Sequence, residues 1–116
     1  RTGCDSLAVA IGNVHGEYSS DPKIAFDVLE KVRDAIDIPI VLHGASCIPD
    51  KDVKTSISLG VSKINIHTEL CLAAMNAVRE KQNSSFLELE RAVRQSVKQR
   101  AIEKIQLFGT EGKMDK

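Results

Sequence analysis

A chain of 116 residues, 42% hydrophobic and 28% charged, has the balance of a globular protein and fits one small domain or part of a larger one. Its sixteen basic and sixteen acidic residues cancel and no basic block stands out, so charge gives no reason to expect nucleic acid or an anionic membrane as partner. No apolar run approaches the ~20 residues that span a bilayer, and no signal peptide is visible.

The chain opens on Arg1-Thr2-Gly3-Cys4-Asp5 and runs straight into an apolar segment, which predicts a start in mid-domain. Leu7-Ala8-Val9-Ala10-Ile11, ended by Gly12, is expected to form a strand buried on both faces. After a polar loop from Asn13 to Lys23, Phe26, Val28, Leu29, Val32 and Ile36 recur at helical spacing. Pro39 separates that helix from a second strand, Ile40-Val41-Leu42, and His43-Gly44-Ala45-Ser46-Cys47 forms the next loop. Pro49 and Asp50 start a helix with Val53, Ile57 and Leu59 on its apolar side, and Gly60 sits where a left-handed stop belongs. A third strand covers Val61 to Ile66, and a helix bearing Leu70, Ala73, Ala74, Ala77 and Val78 follows. Ser85 and Glu88 make a capping box, after which Leu89, Val93, Val97, Ala101 and Ile105 recur every four residues up to Gly109. That stripe is read as a packing face. Residues 1–109 are expected to form one domain part, with 110–116 as a loose tail.

Strands alternating with helices imply an α/β fold with a parallel sheet, in which function collects at the C-terminal strand ends. Three strands do not by themselves decide between a closed barrel and an open sheet. Three motifs lie at those ends: Gly12-Asn13-Val14-His15-Gly16, His43-Gly44-Ala45-Ser46, and Lys63-Ile64-Asn65-Ile66-His67-Thr68. Neighbouring strands are about 5 Å apart, so His15 and His43 could converge on one metal ion. A histidine beside glycine is nonetheless more often an ordinary loop residue, and catalytic zinc normally takes three protein ligands. The Gly44 loop and the Asn65–Thr68 segment offer backbone N–H groups and hydroxyls suited to a phosphate. Such glycines and hydroxyls also serve plain turns and helix caps. Cys4, Cys47 and Cys71, odd in number and without zinc-finger spacing, are expected as reduced thiols in a cytoplasm.

Taken together and in order, these motifs resemble the class II, zinc-dependent fructose/tagatose-bisphosphate aldolases, nearest the tagatose type. Asp5 to Gly12 with His15-Gly16 looks like one metal-binding segment, Ile38 to Ser46 like a second, and Gly60 to Ile66 with Thr68-Glu69 like the substrate-phosphate segment. The resemblance covers about residues 3 to 80, and the C-terminal helix with Glu111-Gly112 fits more loosely. It implies the C-terminal part of a (β/α)8 barrel and reversible aldol cleavage of a ketose 1,6-bisphosphate to dihydroxyacetone phosphate and glyceraldehyde 3-phosphate. It implies His15 and His43 as zinc ligands, and Gly16, Gly44, Ser46, Asn65 and Thr68 as contacts of a phosphorylated ketose. Asn65 would also bond the enediolate that zinc stabilises as a Lewis acid. A monovalent cation, Na+ or K+, and a homodimer or homotetramer of the full-length enzyme are implied as well.

The chain departs from the family pattern at Cys47, where glycine is usual, and at His67, where the tagatose type has alanine. If position 47 needs positive φ, cysteine costs about 1 kcal/mol or more there. Either residue is also a conceivable metal ligand. The family's third zinc histidine and its proton-transferring aspartate belong to its N-terminal half, so the chain by itself is expected to be inactive. Two other readings stand beside the aldolase: a different phosphosugar-handling barrel enzyme, and a non-catalytic remnant or interaction module.

Overall fold

The computed structural model describes residues 3–13 and 23–113. Three strands and four helices follow one another as β1 (Leu7–Ala8), α1 (Phe26–Ala35), β2 (Ile40–Leu42), α2 (Asp50–Ser58), β3 (Val61–Ile64), α3 (Thr68–Glu80) and α4 (Phe86–Leu107). They divide between two compact units, Arg1–Ile66 and His67–Lys116.

In the first unit all strand pairs are parallel and the sheet order is β1-β2-β3, the arrangement of consecutive strand–helix units in a (β/α)8 barrel. Ile40, Val41 and Leu42 of β2 are all buried, as the middle strand of a covered sheet requires. Around them Ile11, Ile24, Leu29, Ala45, Ile48, Val53 and Val61 complete the core. Burying a side chain such as Leu29 or Leu42 is worth roughly 1.5–3 kcal/mol. Ser56 is fully buried in the same layer, and its hydroxyl donates to the Asp52 carbonyl at 2.8 Å, which removes the cost of burying it. Between β2 and β3 the register slips by one residue, with Ile40 opposite Val61 and Val41 opposite Lys63, so Ser62 is the extra residue of a bulge.

The first strand departs from its expected burial. Leu7 and Val9 are half-buried, Ala8 and Ala10 exposed, and only Ile11 is fully enclosed. The alternation has period two, so β1 is covered on one face only by the described residues of this unit. Its ladder is also short, two residues with one further bond from the Leu7 N–H to the Pro39 carbonyl at 2.9 Å.

The helices stop where glycine allows. Gly60 follows α2 at φ 109°, and its N–H bonds the Ile57 carbonyl at 3.1 Å. After α4, Gly109 takes φ 65° and donates to Gln106, while the Thr110 N–H reaches the Ile105 carbonyl at 3.2 Å. These are the two bonds of a Schellman stop. At the start of α4 the Ser85 N–H donates to Glu88 Oε2 at 3.0 Å and the Glu88 N–H returns to Ser85 Oγ at 3.4 Å, closing the capping box.

The second unit is a helical hairpin. Contacts pair early α3 with late α4: Glu69 with Lys104, Ala73 with Ser96, so the two helices run antiparallel. Ala73 and Ala77 of α3 face Ala92 and Ser96 of α4 across a groove of about 470 Å³ whose rim carries Glu80, Arg100 and Glu103. Leu89, Val93, Val97 and Ala101 of the expected stripe are half-buried, but Ile105 is 46% exposed. The buried residue of α4 is instead a charged one, Lys104, whose Nζ lies 2.8 Å from Glu69 Oε2. None of the described helices is long and apolar enough to cross a membrane.

Candidate functional site at the strand ends

The C-terminal ends of the three strands are tied together by hydrogen bonds that involve the motif residues. At the end of the first, Gly12 turns the chain at φ 90°, and a Cβ there would collide with the Lys23 carbonyl oxygen. Only glycine satisfies both demands. The turn presents Asn13, whose Oδ1 accepts the Ile11 N–H at 2.9 Å and whose Nδ2 donates to the His43 carbonyl oxygen. One amide side chain therefore braces its own loop and links it to the next. His15 and Gly16, two and three residues further on, lie outside the described residues.

His43 is the first residue beyond β2, and it is exposed. With its carbonyl held by Asn13, its backbone position is set from the neighbouring loop. Gly44 follows at φ 64°, then Ala45 and Ser46, which are 2% and 4% exposed. Cys47 also takes φ 64°, so this position does require the left-handed conformation, and a non-glycine residue occupies it. Such a residue stores about 1–2 kcal/mol of strain. The loop holds this shape through the Ile48 N–H, which returns to the Ala45 carbonyl at 3.5 Å, and through the third strand end.

Beyond β3, the Asn65 N–H donates to the Leu42 carbonyl at 3.0 Å, and the Asn65 carbonyl accepts the Ala45 N–H at 3.1 Å. The Asn65 side chain accepts from Lys63 Nζ at Oδ1, which orients the amide. Asn13, His43, Ala45 and Asn65 thus form one bonded group across all three strand ends, with Gly44 and Ser46 in the same loop. Thr68 belongs to the second unit, where it is the first residue of α3 and half-buried. His67 is the N-cap of that helix and Cys71 lies one turn further. Asn13 and Lys63 were not singled out from the sequence. An asparagine directly after a turn glycine is a known signature of side-chain-to-backbone bonding, but its bond to His43 spans thirty residues and has no local signal.

The sequence profile of the class II fructose-bisphosphate aldolases matches residues 1–113. The chain belongs to this family. It is 65% identical over 115 residues to YdjI of Escherichia coli K12, an uncharacterized protein by name, and 42% identical over 118 residues to the fructose-bisphosphate aldolase of Geobacillus stearothermophilus. A shorter match of 79 residues, 51% identical, joins it to the D-tagatose-1,6-bisphosphate aldolase subunit GatY of Klebsiella oxytoca and covers 68% of this chain and 28% of that subunit. The first two matches cover 99% and 97% of this chain, and 41% of each relative. The chain therefore spans about two fifths of their length. Its fold superposes on the crystal structure of the YdjI aldolase from Escherichia coli K12 with a TM-score of 0.88 and 62% identity, covering 97% of this chain and 41% of that one.

Members of this family generally use zinc, and the donor chemistry at the strand ends fits part of a zinc site. His43 offers an exposed imidazole on an anchored backbone, and imidazole nitrogen is a preferred zinc donor. Among the described residues, no group of three His, Cys, Asp or Glu side chains comes together.

Proposed function

We propose that this chain is the C-terminal portion of a zinc-dependent class II ketose-1,6-bisphosphate aldolase, which reversibly cleaves its substrate to dihydroxyacetone phosphate and glyceraldehyde 3-phosphate. The observation that carries the reading is the bonded group Asn13–His43 and Ala45–Asn65, which joins the family's three motifs at one end of the sheet. In this reading His15 and His43 hold the zinc. Two peptide units separate His15 from Asn13, the residue already bonded to His43.

When bound, zinc lowers the energy of the negative charge that develops as the C3–C4 bond breaks. The chain's own residues bind and orient. Gly44 leaves the backbone open to a phosphate, Ser46 adds a hydroxyl, and Gly16 and Thr68 extend the phosphate contacts, so that remote binding energy positions the reacting carbons. Asn65, its amide turned by Lys63, would offer its NH2 group to the charged oxygen of the three-carbon fragment. A monovalent cation (Na+ or K+) near the phosphate loops, a cytoplasmic location and a homodimeric or homotetrameric full-length enzyme complete the proposal. The aspartate that moves the proton is sought outside this chain, and the isolated polypeptide is accordingly inactive.

Equilibrium titration with zinc tests the metal assignment independently of turnover. The chain should bind the ion weakly, and His43→Ala and His15→Ala should each weaken binding at least tenfold, since even outer-shell substitutions cost ~10–100-fold in metal sites. Binding that survives both substitutions unchanged overturns the assignment and favours a different phosphosugar enzyme. Zinc-dependent cleavage of fructose or tagatose 1,6-bisphosphate by the purified chain alone overturns the inactivity.

A further inference from the structure

His67 and Cys71 stand four residues apart at the start of α3, a spacing that puts two side chains on one face of a helix. The His67 carbonyl accepts the N–H of Leu70 at 3.0 Å and of Cys71 at 3.2 Å, closing the first turn. The side chains close it a second time: Cys71 Sγ lies 3.3 Å from His67 Nε2 and 3.9 Å from Nδ1. Between them, Glu69 is held at 2.8 Å by Lys104, with the two side chains 11% and 8% exposed, so the turn is anchored from α4. His67 and Cys71 themselves are both exposed. An imidazole within hydrogen-bond reach of an accessible thiol is the arrangement by which a cysteine is made nucleophilic.

We propose that Cys71 and His67 form a thiol–imidazole pair, and that Cys71 is the residue of this chain that reacts with soft electrophiles and small disulfides. Proton transfer between sulfur and imidazole nitrogen is the chemistry such a pair offers. In the exchange, the Cys71 proton passes to His67 Nε2 and the sulfur attacks one sulfur of the incoming disulfide. The S–S bond of that disulfide breaks, and the departing thiolate takes up the proton. One disulfide replaces another, and no further oxidant is required. This activity stands apart from aldol cleavage and does not depend on it.

The three cysteines provide the test within one sample. The purified chain is treated with iodoacetamide, and separately with glutathione disulfide, and modification of each cysteine is followed by peptide mass spectrometry. Cys71 should react about tenfold faster than Cys4, which is also exposed. His67→Gln, which keeps a polar side chain of similar length but takes no proton, should bring Cys71 to within about twofold of Cys4. His67→Ala should do the same. Unchanged rates at Cys4 and Cys47 and an unchanged far-UV circular dichroism spectrum show that a variant is folded. A Cys71 no faster than Cys4 in the native chain overturns the proposal, and so does a Cys71 that keeps its rate in both variants. The wild-type comparison decides the matter by itself if neither variant folds.

Discussion

In the strand-bearing unit the sharpest constraints fall on the backbone, whereas in the helical unit they fall on side chains. Gly12, Gly44 and Cys47 all sit at positive φ within the strand-end loops, and Asn13 and Asn65 then knit those loops together. The hairpin of α3 and α4 has no positive φ between Thr68 and Leu107, and it relies on a capping box, a glycine stop and the enclosed Glu69–Lys104 pair. Loops that reverse sharply at strand ends need left-handed residues, and at a non-glycine position such as Cys47 that costs strain. A pair of helices that only has to pack can satisfy its backbone internally and leave specificity to a few contacts.

The largest effect should come from the hairpin. Lys104→Ala removes the cation 2.8 Å from the enclosed Glu69 carboxylate, at a cost of up to about 3–5 kcal/mol, read as a lower urea midpoint by far-UV circular dichroism. The paired change Lys104→Met with Glu69→Leu should restore most of that loss, because it removes the enclosed carboxylate together with the cation. A single variant as stable as wild type would show that the pair is not buried in solution.

Gly12→Ala should come next, at no less than about 2 kcal/mol, since the new methyl meets the Lys23 carbonyl while the residue is held at φ 90°. Replacement by alanine without loss would dissolve the contrast between a strained unit and a relaxed one. Ser85→Ala should cost about 1 kcal/mol by removing the cap of α4. The same cap carries a pH signature. The Ser85 hydroxyl, and after it the Ser85 N–H, hold the Glu88 carboxyl below its ordinary value. A carboxyl depressed in the folded state stabilises above its unfolded pKa, and that contribution is lost as pH falls through the folded value. Protection of the amides at the start of α4, taken relative to their intrinsic exchange rates, should therefore fall on acidification below the usual glutamate range, and Glu88→Gln should flatten the dependence.

The smallest effect has the opposite sign. Cys47→Gly should stabilise the chain by about 0.5 kcal/mol, because relief of ~1–2 kcal/mol of left-handed strain is partly offset by the greater freedom of glycine in the unfolded chain. A loss of stability would mean that the Cys47 side chain contributes packing that outweighs its strain.

Much of this was legible in advance for local reasons. β2, the helix from Asp50, the Gly60 and Gly109 stops and the Ser85–Glu88 box are each written in residues close together in sequence. The family likeness was legible too, because its motifs are contiguous runs in a fixed order. What escaped were contacts between distant residues: Asn13 with His43, Lys104 with Glu69. Lys104 reads as one more surface charge on an amphipathic helix, and only the facing helix reveals that it is enclosed. The burial of β1 was overestimated for the same reason, since an apolar run says that a strand can be covered on both faces but not what covers it.

By itself, then, the sequence determined the element order, the left-handed stop at Gly60, the helix end at Gly109, the cap of α4 and the family of the chain, all of which depend on spacings of a few residues or on ordered motifs. The tertiary structure decided that Cys47 is held at φ 64°, that Asn13 ties the first loop to the second, and that Glu69 and Lys104 leave the solvent together. A backbone angle at a non-glycine residue, a bond across thirty positions and the burial of a charge are set by neighbours remote in the chain, and no local pattern encodes those neighbours.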